Sequence, residues 1–161
     1  MRRQTLEPII SQHRFFQDLE PAYLRFIVEC AANVRFKAEE FLFHEGEAAN
    51  QFYLIRHGRV ALQIFIPGRG PTTLVTIEAG EVLGWSWLFP PYRWHFDARA
   101  VELTRAIAFE GQCLRDKCDA DPKLGYVLMQ RFSRIMTQRL QAARLQLVDM
   151  YGAELASQRG P

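Results

Sequence analysis

Between Val34 and Phe109 the apolar residues stop recurring at helical spacing and fall into short runs rich in Val, Ile, Phe, Tyr and Thr, separated by glycine-containing turns. The runs recur roughly every eight to twelve residues, the rhythm of an all-β sandwich or roll. Eight candidate strands result: Val34–Phe36, Phe41–His44, Gln51–Arg56, Arg59–Ile66, Thr72–Glu78, Val82–Gly84, Ala98–Val101 and Ala106–Glu110. His57-Gly58 is a tight turn between two of them, and Pro67-Gly-Arg-Gly-Pro71 is a hairpin loop. Short strands at this spacing must close their edges, so the expected fold is mainly β: a double-stranded β-helix, that is, a jelly-roll-like β-roll.

Helical spacing returns on both sides of the roll. Ile9, Ile10, His13 and Phe16 give one short amphipathic stretch, and Pro21 opens a second whose buried face carries Leu24, Ile27 and Val28. After Gly111, Asp121-Pro122 is a helix start, and Leu124, Leu128, Phe132, Ile135, Met136, Leu140, Ala143 and Leu147 step by three or four along one stripe. A helix of about 28 residues would run for roughly 42 Å, longer than a small domain is wide. Part of it should need a partner, and a homodimer through this stripe is the expectation. The reading is one domain over 1–161: N-terminal helices 1–33, β-roll 34–110, C-terminal helices 111–151 and a tail 152–161. That tail is too short for a helix-turn-helix, so nucleic acid is not an expected partner.

Composition narrows the function classes. With 161 residues, 48% of them apolar, the chain can bury one sizeable core. It has no apolar run long enough to span a membrane and no apolar leader after Met1-Arg-Arg-Gln, which implies a soluble, cytoplasmic protein without a membrane partner. Cys30, Cys113 and Cys118 make an odd count without a CxxC pair, so neither a disulfide framework nor a zinc knuckle is expected. Net charge is only +2, and Arg131, Arg134, Arg139 and Arg144 read as a solvated helix face. No GxSxG motif is present, and no histidine constellation accompanies the cysteines. His44, Glu45, Glu47, His57 and His95 could be imagined as ligands of a cupin-like metal centre, but there is no HxH pair. An enzyme is therefore not expected, nor is a metal or other cofactor.

All three tryptophans fall between Gly80 and Ala100, in Gly-Glu-Val-Leu-Gly-Trp-Ser-Trp-Leu-Phe-Pro-Pro-Tyr-Arg-Trp-His-Phe-Asp-Ala-Arg-Ala. Each indole brings a large apolar area and an N–H that wants a partner. Three so close imply a dense local core or an aromatic-lined pocket.

Two further stretches point to a family. Phe43-His-Glu-Gly-Glu-Ala-Ala-Asn-Gln-Phe-Tyr-Leu-Ile-Arg-His-Gly-Arg-Val60 and Gly80-Glu-Val-Leu-Gly84, followed by Ala98-Arg-Ala100, resemble the cyclic nucleotide-binding domain, with turn glycines at Gly46, Gly58 and Gly80. The chain is similar to the sensor half of catabolite-activator-type bacterial regulators, without their DNA-binding half. The resemblance implies that Gly80–Ala100 is the phosphate-binding cassette. There a carboxylate after the second glycine takes the ribose hydroxyl, backbone N–H groups cradle the phosphate and an arginine neutralises it.

This sequence departs from that pattern at both side chains. Trp85 stands where the carboxylate would follow Gly84, and the arginine position falls on Trp94 or His95 depending on the direction of alignment. Arg93 is the nearest substitute, while Arg99 matches an arginine of the outgoing strand that can equally form an ion pair. By the same resemblance Leu62 and Leu74 pack on the base, Ser86 offers a backbone N–H to phosphate, and Ala143 and Arg144 lie near the purine. The ligand-binding candidates are thus Leu62, Leu74, Gly84, Trp85, Ser86, Trp87, Arg93, Trp94 and His95. Two readings stay open: a regulatory sensor module with altered or weak nucleotide binding, its ligand a cyclic nucleotide or another small molecule, or a ligand-free dimerising module whose tryptophans plug the pocket.

Overall fold

The computed structural model describes residues 6–158. They form two compact units, the first ending at Pro122 and the second beginning at Lys123.

The first unit opens with helix α1 (Glu7–Gln12), a 3-10 turn at Arg14–Phe16 and helix α2 (Pro21–Glu29), whose first residue is proline. Eight strands follow: β1 (Ala31–Phe36), β2 (Phe41–Phe43), β3 (Gln51–His57), β4 (Arg59–Ile66), β5 (Gly70–Glu78), β6 (Val82–Leu83), β7 (Asp97–Ala100) and β8 (Thr104–Glu110). Helix α3 (Gly111–Ala120) completes the unit. The strands make two four-stranded antiparallel sheets, ordered β1-β8-β3-β6 and β2-β7-β4-β5. This is the β-roll, flanked by helices, that the alternating sequence predicts.

Period-two alternation splits the core into two layers. Tyr53 and Ile55 of β3 and Ala106 and Ala108 of β8 face the roll interior with Phe43, Val60, Leu62, Ile77, Leu83 and Ala98. Their strand neighbours Phe52 and Phe109 face the other way and stack on each other, 4.5 Å between centroids. Phe16 meets Phe109 and Phe15 meets Phe52, so the N-terminal segment lies on this outer side of the sheet.

The cysteine expectation is corrected. Cys30, which caps α2, is joined to Cys113 in α3 across 83 residues, with 5.8 Å between Cα atoms. Pairing of β1 with β8 places Ala31 opposite Phe109 and lets the Glu110 N–H donate to the Cys30 carbonyl at 2.9 Å. The partners meet through sheet topology, which spacing along the chain does not reveal. Cys118 is left as the free thiol.

The second unit lies in one helix, α4 (Pro122–Gln158). It begins where Asp121-Pro122 predicts but runs past the expected end near 151, straight through Gly152. A glycine inside a helix costs about 1 kcal/mol relative to alanine, too little to stop one flanked by Ala153, Glu154, Leu155 and Ala156. Leu124, Leu128 and Phe132 are buried, whereas Leu140, Leu147, Val148, Tyr151 and Leu155 are exposed. Among the described residues, no helix is long and apolar enough to cross a membrane.

Candidate functional site

The cassette leaves β6 at Gly84, whose φ of +100° belongs to the left-handed region that glycine adopts freely. Glycine is required here for a second reason: a Cβ would lie 2.7 Å from the Trp94 ring. Trp85 follows, half-buried, and Ser86–Leu88 form a 3-10 turn in which Ser86 and Trp87 are buried. The turn closes with the Leu88 N–H donating to the Trp85 carbonyl at 3.0 Å.

The three tryptophans do not line one pocket. Trp87 goes to the outer layer and stacks on Phe52, 5.3 Å between centroids and 24° from parallel. Trp94 goes to the roll interior, is only 4% exposed, and stacks on Phe43 at 3.7 Å and 8°. Leu62, 2% exposed, belongs to the same interior cluster.

Arg93 forms an antiparallel bridge with Ala48, next to Tyr92 at a φ of +55°, and holds residues 92–94 against the Gly46–Ala49 turn. The Gly46 N–H donates to the Trp94 carbonyl at 2.8 Å, the Trp94 N–H to Glu47 at 3.0 Å, and the Ala49 N–H to Tyr92 at 2.7 Å. Extended backbone sends neighbouring side chains to opposite sides. With Trp94 inside, Arg93 and His95 point out and are exposed, and the Arg93 guanidinium donates to the Gly46 carbonyl at 3.2 Å. Neither cationic candidate joins Gly84, Leu62 and Trp94 in the interior.

Leu74 is also outside, 44% exposed. The β4–β5 register slips after Leu62, which pairs with Val75, while Gln63 pairs with Thr73. Leu74 is the extra residue of this bulge, and Val75 takes the inward place. Arg99 is paired with Glu39 at 2.8 Å, the ion-pair alternative for that position. Ala143 and Arg144 are exposed on α4.

Several neighbours carried no motif signal. Tyr53, in the interior cluster, donates its O–H to Gln51 Oε1 at 2.8 Å, and burial pushes its pKa up to about 12. Phe43 and Tyr53 sit in nearly continuous apolar runs, Phe41-Leu-Phe43 and Phe52-Tyr-Leu-Ile55, so the sequence marks them as strand residues but not which of them face inward. Arg115, from α3, was not foreseeable: its guanidinium donates to the Trp87 carbonyl and to Gln112, and lies 4.4 Å over the Tyr92 ring. One arginine thereby holds both ends of the cassette turn. Among the described residues, no three His, Cys, Asp or Glu side chains converge as a metal site would need.

A model of the cyclic nucleotide-binding domain family matches residues 33–121, more than half of the chain. The chain belongs to that family. It is 22% identical over 145 residues to a CRP-like cAMP-activated global transcriptional regulator of Mycobacterium tuberculosis, covering 90% of this chain and 63% of that protein. The chain thus spans less than two thirds of the curated relatives it matches. Its fold is similar to a cyclic nucleotide-binding domain from Methylobacillus flagellatus, with a TM-score of 0.76 at 19% identity over 92% of this chain and 84% of the other. It is also similar to the sensor domain of the transcriptional regulator DNR from Pseudomonas aeruginosa, at 0.69 and 18% over 87% and 94%. The segment that carries the three indoles, residues 85–94, lies within the matched residues.

Proposed function

We propose that the chain is a non-enzymatic regulatory module that keeps the cyclic nucleotide-binding fold but does not bind cyclic nucleotides tightly, its own Trp94 standing in for the ligand. The observation that carries this reading is the Trp94–Phe43 stack in the roll interior, at 3.7 Å. Two features support it: Trp85 follows Gly84 where a carboxylate would be needed, and both Arg93 and His95 face outward. A charged hydrogen bond contributes about 1.5–3 kcal/mol, so two missing ones lower affinity by roughly a hundredfold to tens of thousands. Likeness to a cAMP-activated regulator supports a regulatory role more than it supports the same ligand.

The module is expected to act as a homodimer through α4, whose stripe of Leu140, Leu147, Val148, Tyr151 and Leu155 is exposed. Apolar residues at this spacing need a facing helix to leave water.

Calorimetry with cyclic AMP and cyclic GMP tests the pocket: no saturable heat is expected at micromolar ligand, and micromolar or tighter binding of either overturns the proposal. Sedimentation of the full chain at micromolar concentration tests the dimer. A single monomeric species refutes it.

A further inference from the structure

We infer that the outer face of the β1-β8-β3-β6 sheet carries, at one end, a docking site for an acidic protein segment, built on Arg35, Arg105 and His57. In the strand register Arg35 of β1 lies directly opposite Arg105 of β8, and His57 of β3 lies opposite Arg105 on its other side. All three are exposed. Val34, Phe36 and Ala106 pack with the roll interior, so by alternation Arg35 and Arg105 project from the other face. A bulge between Ile55 and His57 adds Arg56 beside this row.

Like charges directly opposite one another on a sheet are unfavourable. The chain has carboxylates to spare for its other strand-end arginines: Arg59 pairs with Glu102 at 3.5 Å and Arg99 with Glu39 at 2.8 Å. Among the described residues, no ion pair takes Arg35, Arg56 or Arg105. In a chain with 20 basic and 18 acidic residues, a three-strand row without a carboxylate calls for a negative partner from outside.

Geometry favours polypeptide over nucleic acid. Strands lie about 4.8 Å apart, so the row from β1 to β3 spans about 10 Å, the reach of three or four residues of extended chain. Alternate carboxylates of such a segment, about 6.6 Å apart, can each meet one of the cations. The row includes no Phe, Tyr or Trp side chain on which a base could stack.

The test is fluorescence anisotropy of a labelled ten-residue polyglutamate peptide titrated with the full chain at low salt. Expected are saturable binding, weakening as salt rises, and at least a tenfold loss in the Arg35→Gln/Arg105→Gln double variant. Arg69→Gln, in the exposed β4–β5 hairpin, should leave binding within twofold. The double variant also removes a repulsion, so its melting temperature should equal or exceed that of the parent, which separates lost binding from lost folding. Absence of saturable binding overturns the proposal, as does an equal loss in Arg69→Gln. Tighter, Arg35- and Arg105-dependent binding of a 20-base-pair DNA duplex or of phosphatidylserine vesicles overturns it in favour of those partners.

Discussion

The indole of Trp94 lies flat on the ring of Phe43, 3.7 Å between centroids and 8° from parallel, in the middle of the roll. Truncating a buried aromatic residue leaves a cavity and typically costs about 3–5 kcal/mol. Trp94→Ala is therefore expected to lower the free energy of unfolding in urea by about that amount. A loss below about 1 kcal/mol would mean that the ring is not part of the core.

Two glycines should respond to alanine in opposite directions. At Gly84 the positive φ and the 2.7 Å approach to Trp94 leave no room for a methyl group, so Gly84→Ala should destabilise by about 1–3 kcal/mol. At Gly152, inside α4 with nothing within 4 Å of an added Cβ, the same change should stabilise the helix by about 1 kcal/mol. Thermal melts followed by circular dichroism read both, and a destabilised Gly152→Ala would contradict the continuous helix.

His13 accepts the Phe15 N–H on Nδ1 at 3.1 Å and donates from Nε2 to the Gly80 carbonyl at 2.7 Å, a pair of bonds that only the neutral ring makes. Burial lowers its pKa below 6.5; the Gly80 bond opposes this and the Arg14 charge reinforces it. Just below pH 6.5 the unfolded chain therefore binds a proton that the folded chain does not, and stability falls as the pH falls through that window. Between pH 7 and pH 5 the parent should lose more stability than His13→Asn in parallel urea titrations. Identical pH profiles would show that His13 contributes nothing.

Burial, followed by the charges of Asp119 and Asp121, pushes the Cys118 thiol up to about 11 from 9.0. A thiol held that far above its ordinary range has about a hundredfold less thiolate near neutral pH, and thiolate is the reactive form. In the folded chain Cys118 should alkylate with iodoacetamide about a hundredfold more slowly than a free cysteine, and unfolding should restore the ordinary rate. Mass spectrometry under non-reducing conditions should find one alkylated cysteine per chain, with Cys30 and Cys113 still joined.

All eight strands were legible because alternation and turn glycines act locally, and β4 falls at Arg59–Ile66 as the pattern predicts. Sites that depend on register were not. Leu74 looked equivalent to Leu62, but a one-residue bulge turned it outward and brought Val75 in. The Cys30–Cys113 bond depends on which strands are neighbours, information that resides in the whole sheet order. The tryptophan cluster was visible as composition, but which side of the sheet each ring would take was decided by Phe52 and Phe43, far away in sequence.

That division of the indoles has a mechanical meaning. Trp87 is seated in the helix-side layer and Trp94 inside the roll, so the stretch that joins them acts, except at its exposed tip, as the shank of a rivet with a head on each side. A segment fastened in this way cannot swing by degrees. Displacing the segment as a whole means unseating a ring on each side of the sheet.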